Sequence, residues 1–479
     1  MRRGAKGRWY ARAVDPATTD EGTTGAYGGS RVVPEHLTAP PPLAHDGRGL
    51  AATLPERREP EPQDLEIAEA IAEEAQPMEE LLARLIDTPT VLGQEAAGQN
   101  IMRAAFRELG LDTVDVSMDA EALRSHPGHS PFDWDVSRKT NVVATWGEPN
   151  GGCSLVLNGH VDVVSPEPVG EWNTPPFTAT RKDDWIVGRG AADMKCGLAS
   201  IIGAARGLRS LGLSPQAPLH LQSVVEEECT GNGTLACVQA GYTADAAIIT
   251  EPFGAAITTS QVGVLWFQVR IKGVPAHAAD MSVGINAIEK SLEVTRALRR
   301  LEEELNAAPP PPYDAFDHPI NLNVGVIRGG DWPSTVPGEC VTSYRIALYP
   351  NTRVRVLQDR IEAIVAEAAV ADPAIFSHPP EVRYGGFACE GYELPHDAPL
   401  VSTLAYAFAR GSGGPPALVA TTGTTDARIF GLYGNTPAVC FGPYAEKAHG
   451  ADERVYFPSV VETAQVLGLF IKDWCGLAS

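Results

Sequence analysis

Apolar residues recur at helical spacing three times in succession: from Leu65 to Ala75, from Pro77 onward with Leu81, Leu82, Leu85 and Ile86, and from Gln99 to Leu109 with Ile101, Ala104 and Ala105. Asp64 stands where a helix N-cap belongs, and Gly110 where a helix stops. Asn141 to Trp146 then reads as a strand, after which short apolar runs alternate with helical stretches. They are strand Ser154 to Asn158, helix Gly197 to Leu211, strand Leu219 to Val225, helix Gly233 to Ala240 and strand Ala246 to Thr250. This order predicts an α/β fold with a central, mostly parallel sheet and flanking helices, and such sheets present ligands at their strand ends.

The pattern changes near Gln261. A long β run from Val264 to Ile271 precedes an amphipathic helix from Val283 to Leu301, strands Asn321 to Ile327 and Cys340 to Leu348, and a helix from Val354 to Ala369. The β-α-β-β-α order predicts an inserted α+β domain over 264–380. Leu400 to Phe408, Ala438 to Phe441 and a closing helix from Ser459 to Trp474 return the chain to the first unit. One domain is therefore expected from 63–263 together with 381–479.

Residues 1–62 follow neither period: Arg2, Arg3, Lys6, Arg8 and Arg12 come first, then Gly-rich and Pro-rich text, which predicts a flexible N-terminal arm. Asp15, Asp20 and Glu21, with no apolar core segment, speak against a targeting peptide.

Composition narrows the class. With 479 residues and 44% apolar side chains the chain is long enough for more than one domain. A net charge of −22 disfavours a non-specific grip on nucleic acid or anionic lipid, and no run approaches the roughly 18 apolar residues of a membrane span. The eight cysteines show no CxxC spacing, which predicts reduced thiols and a cytoplasmic location.

Polar residues with metal-ligand chemistry punctuate the strand ends. His160 and Asp162, in Asn158-Gly-His-Val-Asp162, leave one face of a strand tail, so that one can bind a metal while the other orients it. A buried His satisfied by its Asp reads equally well. Asp193, between a Gly-rich turn and a helix start, suits a bridging carboxylate or an ordinary cap. Glu226, Glu227 and Glu228 follow the apolar run Leu219 to Val225, so three carboxylates meet at a buried strand end that calls for cations. Glu251 ends the next strand, and His449 lies in a polar loop near the C-terminus.

Taken in chain order, His160, Asp193, Glu228, Glu251 and His449, with Asp162 and Glu227 interleaved, resemble the M20 metallopeptidase family, which includes acetylornithine deacetylase, succinyl-diaminopimelate desuccinylase, aminoacylase and carboxypeptidase G2. The resemblance runs from about residue 78 to the C-terminus. It implies two divalent metal ions, zinc first, with cobalt or manganese as alternatives. Asp193 would bridge them, His160 and Glu251 would complete one site, and Glu228 and His449 the other. It also implies Glu227 as general base and then acid toward a metal-activated water, with Asp162 supporting His160 and a cis peptide after Asp193.

The inserted domain would by the same resemblance be a ferredoxin-like lid that mediates homodimerisation, with His277 reaching the partner's site to steady the oxyanion. Arg345, Thr424 and Arg428 would contact substrate. The implied activity is hydrolysis of the amide of a small N-acylated amino acid or amine, with a dipeptidase or carboxypeptidase as the alternative. A metal-dead binding homologue is disfavoured by the complete set of ligands. Two departures stand out: Glu226 where the family motif has Asp, and Ser334 where several relatives have Asn.

Overall fold

The computed structural model describes residues 12–13, 50–51, 60–376, 378–412 and 414–479. The expected arm, 1–62, thus lies almost wholly outside the described residues. Of it, Arg12–Ala13 and Leu50–Ala51 are short strands, each antiparallel to Ala417–Thr421.

The first helix runs Pro62–Glu73, three residues earlier than the pattern suggested. Proline has no N–H to lose and a preset φ, so it begins a helix readily. Asp64 is therefore a first-turn residue, and its carboxylate accepts from the Glu61 amide at 2.9 Å.

The large sheet is mixed: its central pairings and that of Ala256–Gln261 with Ala417–Thr421 are parallel. Its main path runs Thr113–Ser117, Thr140–Trp146, Leu219–Val224, Leu155–His160, Ala246–Ile249, Ala438–Cys440, Ala256–Gln261, Ala417–Thr421. Parallel pairing joins Leu155–His160 to both of its neighbours and Ala246–Ile249 to Ala438–Cys440. The first two strands pair antiparallel with each other and with the centre, and Ala256–Gln261 turns antiparallel to Ala438–Cys440. The sheet, expected to be mostly parallel, is thus parallel at its centre and again between Ala256–Gln261 and Ala417–Thr421, and the antiparallel pairings involve Thr113–Ser117, Thr140–Trp146 and Ala256–Gln261; the first and last of these carry too few apolar residues to register as strands in the sequence. The helices Pro62–Glu73, Lys195–Ser210 and Phe457–Cys475 pack on one another, and the last two bury most of their length in the main core.

A second, four-stranded antiparallel sheet has the order Leu322–Gly329, Glu339–Leu348, Gly263–Lys272, Glu381–Cys389. Helices Ala287–Leu305 and Val354–Ala371 complete a β-α-β-β-α-β unit with its own core around Leu265, Phe267, Val269, Leu298, Ile346 and Ile361. Its last strand, Glu381–Cys389, lies wholly beyond the expected boundary at 380, because Gly263–Lys272 pairs with it on the side opposite Glu339–Leu348. No helix among the described residues is long and apolar enough to cross a membrane.

Two glycines let the strand end before Glu251 come close to its neighbours. A Cβ on Gly197 would meet the Thr250 carbonyl oxygen at 2.1 Å, and one on Gly442 would meet that of Glu251 at 2.4 Å. Gly197→Ala must push this strand end away, and is expected to cost about 1–3 kcal/mol, read from a denaturant titration. An unchanged midpoint would mean that the strand end yields freely.

Candidate metal centre

Three central strands end side by side, and their last residues open the site. His160 closes Leu155–His160, the turn Glu226–Glu228 follows Leu219–Val224, and Glu251 follows Ala246–Ile249. Parallel pairing puts these three ends at one edge, so groups separated by many residues converge.

Asp193 and His449 arrive by another route. A small sheet pairs Trp185–Val187 antiparallel with Arg454–Tyr456. The first strand leads into the Gly-rich turn before Asp193 and the second follows the His449 loop, so the pairing draws both residues to the same mouth. Neither strand was evident from the pattern, since each is only three residues long.

The geometry around Asp193 divides its carboxylate. Oδ1 lies 3.1 Å from His160 Nε2 and Oδ2 lies 3.3 Å from His449 Nε2. Glu228 Oε2 is 3.0 Å from His449 Nε2, while Glu251 Oε1 and Glu227 Oε2 are each 3.7 Å from His160 Nε2. All five expected ligands, with Glu227, thus surround one small volume. Two triads, His160 with Asp193 and Glu228, and His160 with Glu227 and Glu251, bring their ligand atoms within 4.8 Å of one another. The His160 side chain is fully buried and that of His449 is 40% exposed, so the site opens on the His449 side.

These residues fit a pair of divalent cations on their own chemistry. His160 Nδ1 donates to the Asp162 carbonyl oxygen at 2.9 Å. The lone pair of a neutral ring then sits on Nε2 and faces carboxylate oxygens, an arrangement that requires a proton or a cation between them. Buried Glu227 Oε1 and Glu228 Oε1 have no hydrogen-bond partner among the described residues.

The same crowding displaces the titrations. Burial, then Glu251, Asp426 and Glu228, pushes the Glu227 carboxyl well above the usual range, and burial together with Asp193 does so for Glu251. Burial alone would lower His160, but its hydrogen bond with Asp193 and the charges of Asp162, Glu227 and Glu251 raise it well above the ordinary imidazole value. Asp193 is also penalised by burial, yet the two histidines hold it far below the ordinary aspartate value. Such a set is tolerated where cations replace protons.

Asp162 serves this site differently from the expected carboxylate clamp on His160. Its carboxylate accepts from the Glu227 amide at 3.4 Å and the Glu228 amide at 3.1 Å, and stands 3.7 Å from His160 Nδ1. It is the backbone oxygen of Asp162 that fixes the ring. Burial, with Glu228 nearby, lifts this carboxyl to about 7. The peptide between Asp193 and Met194 is cis, as the resemblance implied.

Glu226 has a structural place. It adopts φ +64°, and its buried carboxylate is met by Trp134, Lys139 and Thr230. Arg345, on Glu339–Leu348, reaches the first unit and donates to the Thr422 carbonyl at 3.3 Å. Buried Arg428 donates to the carbonyls of Thr425 at 2.8 Å and Thr230 at 3.0 Å and lies 3.7 Å from the Asp426 carboxylate, and Thr424 Oγ1 lies 3.8 Å from Cys389 Sγ. His277 sits in an exposed loop of the smaller unit, where its Nδ1 accepts from the Ala279 amide at 3.0 Å. It is not drawn to the cluster within this chain.

The sequence reading missed the pair Arg189 and Glu453. Buried Glu453 accepts from the amides of Ala192 at 2.9 Å and Asp193 at 3.0 Å, and its other oxygen pairs with the buried Arg189 guanidinium. Their only signal was position, with Arg189 just before the Asp193 turn and Glu453 just after His449. Glu453→Ala would strand a buried charge and free the Asp193 loop, at an expected cost of about 3–5 kcal/mol in unfolding free energy. A loss below 1 kcal/mol would remove the pair from the account of how Asp193 is held.

Comparison with known proteins agrees with this geometry. The model of the peptidase family M20/M25/M40 matches residues 156–473. N-formyl-4-amino-5-aminomethyl-2-methylpyrimidine deformylase of Halalkalibacterium halodurans is 31% identical over 369 residues, covering 72% of this chain and 85% of that enzyme. Acetylornithine deacetylase of Proteus mirabilis is 28% identical over 404 residues, covering 83% and 96%. Among solved structures, human carnosine dipeptidase 1 superposes with a TM-score of 0.70 at 16% identity, over 87% of this chain and 99% of that one, a likeness of fold. The family match spans about two thirds of the chain, and it includes every residue that converges on Asp193: the chain belongs to the peptidase family M20/M25/M40.

Proposed function

We propose that this protein is a two-metal amidohydrolase that cleaves the amide bond of a small N-acylated amine or amino acid. The observation that carries the reading is the divided carboxylate of Asp193, with one oxygen toward His160 and the other toward His449. His160 and Glu251 would hold one cation, Glu228 and His449 the other, and Asp193 both. Zinc is the first choice for this donor set of imidazoles and carboxylates, with cobalt or manganese as alternatives. The cations, when bound, polarise the amide carbonyl and lower the pKa of a water molecule.

The chain's own residues supply the rest. Glu227 takes the proton from the attacking water and returns it to the departing nitrogen, so one carboxyl acts as base and then as acid. Its position on a turn braced by Asp162 suits it to that exchange. Arg345 would bind an anionic group of the substrate, since among the described residues no carboxylate lies in ion-pair contact with it, although its guanidinium is largely enclosed. His277 would act across a dimer of the smaller units, as in the family pattern. The curated relatives named for removing formyl and acetyl groups favour small acyl groups. Eight free cysteines suit the cytoplasm.

The test is a screen of N-formyl, N-acetyl, N-succinyl and dipeptide substrates on protein loaded with zinc, cobalt or manganese. Release of a free amine from an N-formyl or N-acetyl compound is expected. Turnover confined to dipeptides with a free α-amino group would move the assignment to a dipeptidase.

A further inference from the structure

Residues 126–139 form a loop that touches both the catalytic turn and the smaller unit. At one end, Trp134 Nε1 donates to Glu226 Oε1 at 2.6 Å and Lys139 Nζ sits 2.9 Å from the same carboxylate. Lys139 is held by a second buried carboxylate, Glu95, at 2.6 Å. Glu226 is fully buried, and Glu95 and Lys139 are 3% and 7% exposed, so this is a closed polar network. Among the described residues, none of Trp134, Lys139 and Glu95 has a hydrogen bond or ion pair with His160, Asp193 or Glu251.

Glu226 is, however, the residue that turns the chain into Glu227. Its φ of +64° is unfavourable for a side-chain-bearing residue and persists only where the surroundings fix it. Its carbonyl oxygen accepts from the amides of Thr230 at 3.0 Å and Gly231 at 2.7 Å, and its Oε2 from Thr230 Oγ1 at 2.8 Å. The direction of Glu227 and Glu228 therefore depends on how the Glu226 side chain is moored.

The other end of the loop is moored to the smaller unit. The Pro131 carbonyl accepts from the Gly386 amide at 2.7 Å, and Ser130 Oγ accepts from the Ala388 amide at 3.2 Å. Gly386 and Ala388 belong to Glu381–Cys389, the edge strand of the smaller sheet. Asn232, at the helix start after the catalytic turn, clasps Ser130 by both backbone groups, at 3.0 Å and 2.8 Å. Three residues separate the Ser130 anchor from Trp134.

We propose that residues 126–139 are a positioning strap: Trp134 and Lys139, acting through Glu226, set the turn that carries Glu227 and Glu228, and the Ser130–Pro131 anchor makes that setting depend on the strand Glu381–Cys389. Trp134 and Lys139 are thus positioning residues that touch no reacting atom. The inference rests on the role given to Glu227 above. It adds that the seating of the smaller unit is felt at the general base.

Trp134→Phe is the sharpest probe, because it removes the indole N–H, together with the five-membered ring that carries it, and keeps an aromatic side chain at that place. In the zinc-loaded full-length protein, acting on the N-acyl compound hydrolysed fastest in the screen, kcat is expected to fall about tenfold with KM within about twofold. Metal content should not change, and amide exchange over 226–231 should quicken. Ser130→Ala, on the smaller-unit side, should also quicken that exchange, and the kcat loss of the double variant should fall short of the product of the single losses. Unchanged exchange in both variants, or strictly multiplicative losses, overturns the strap. Glu227→Gln in parallel keeps the two readings apart: its turnover judges the general base, whereas the exchange data judge the strap without reference to activity.

Discussion

Glu227→Gln is expected to lower kcat by about 10²- to 10⁴-fold, with the fold and both metals retained. The side chain lies 3.7 Å from His160 Nε2, and Oε1 has no hydrogen-bond partner among the described residues, so an isosteric amide fits the same space while losing the ability to carry a proton. Metal content by emission spectrometry and the unfolding midpoint should match the parent protein. Two outcomes would refute the assignment. Retained turnover removes Glu227 as the base, and loss of one metal equivalent makes it a ligand.

Asp193→Ala is expected to act on binding rather than on proton transfer. Its two oxygens lie one toward His160 and one toward His449, so both cations should be weakened together. Activity should fall by several kcal/mol of transition-state stabilisation, on the order of 10³-fold or more. Stability provides a second readout. The buried carboxylates Glu227 and Glu251 repel one another, and a cation that binds only the folded state raises the unfolding midpoint. Added zinc should therefore stabilise the parent protein and leave Asp193→Ala nearly unmoved. A variant that still binds two equivalents tightly would show that Asp193 is not the bridge.

Much of the site was legible because its ligands sit at strand ends, where an apolar run stops abruptly at a charged residue. His160 and Glu251 end or follow buried strands, and Glu228 closes the acidic turn after a third. Asp193 and His449 were legible only as members of a set, since each stands in a loop whose composition is unremarkable. Asp162 was recognised as a support, but the atom that orients the ring is its backbone oxygen, and its carboxylate holds the amides of Glu227 and Glu228. Backbone acceptors are common to all residues, so no pattern of side chains can announce one. The guanidinium of Arg428, expected to contact substrate, donates to the carbonyls of Thr425 and Thr230 and lies 3.7 Å from Asp426.

By itself the sequence determined the two-unit organisation, the helices of the main core and the identity of the groups that meet, because these follow from local periodicity and side-chain chemistry. Tertiary structure alone decided three things. It made the sheet mixed, since strand direction depends on which edges are free when each strand docks. It joined Trp185–Val187 to Arg454–Tyr456 and so brought Asp193 to His449, and it set Glu453 under the Asp193 turn and Trp134 under Glu226. Each is a contact between distant segments, and its energy comes from burial and hydrogen bonding that exist only once both segments have arrived.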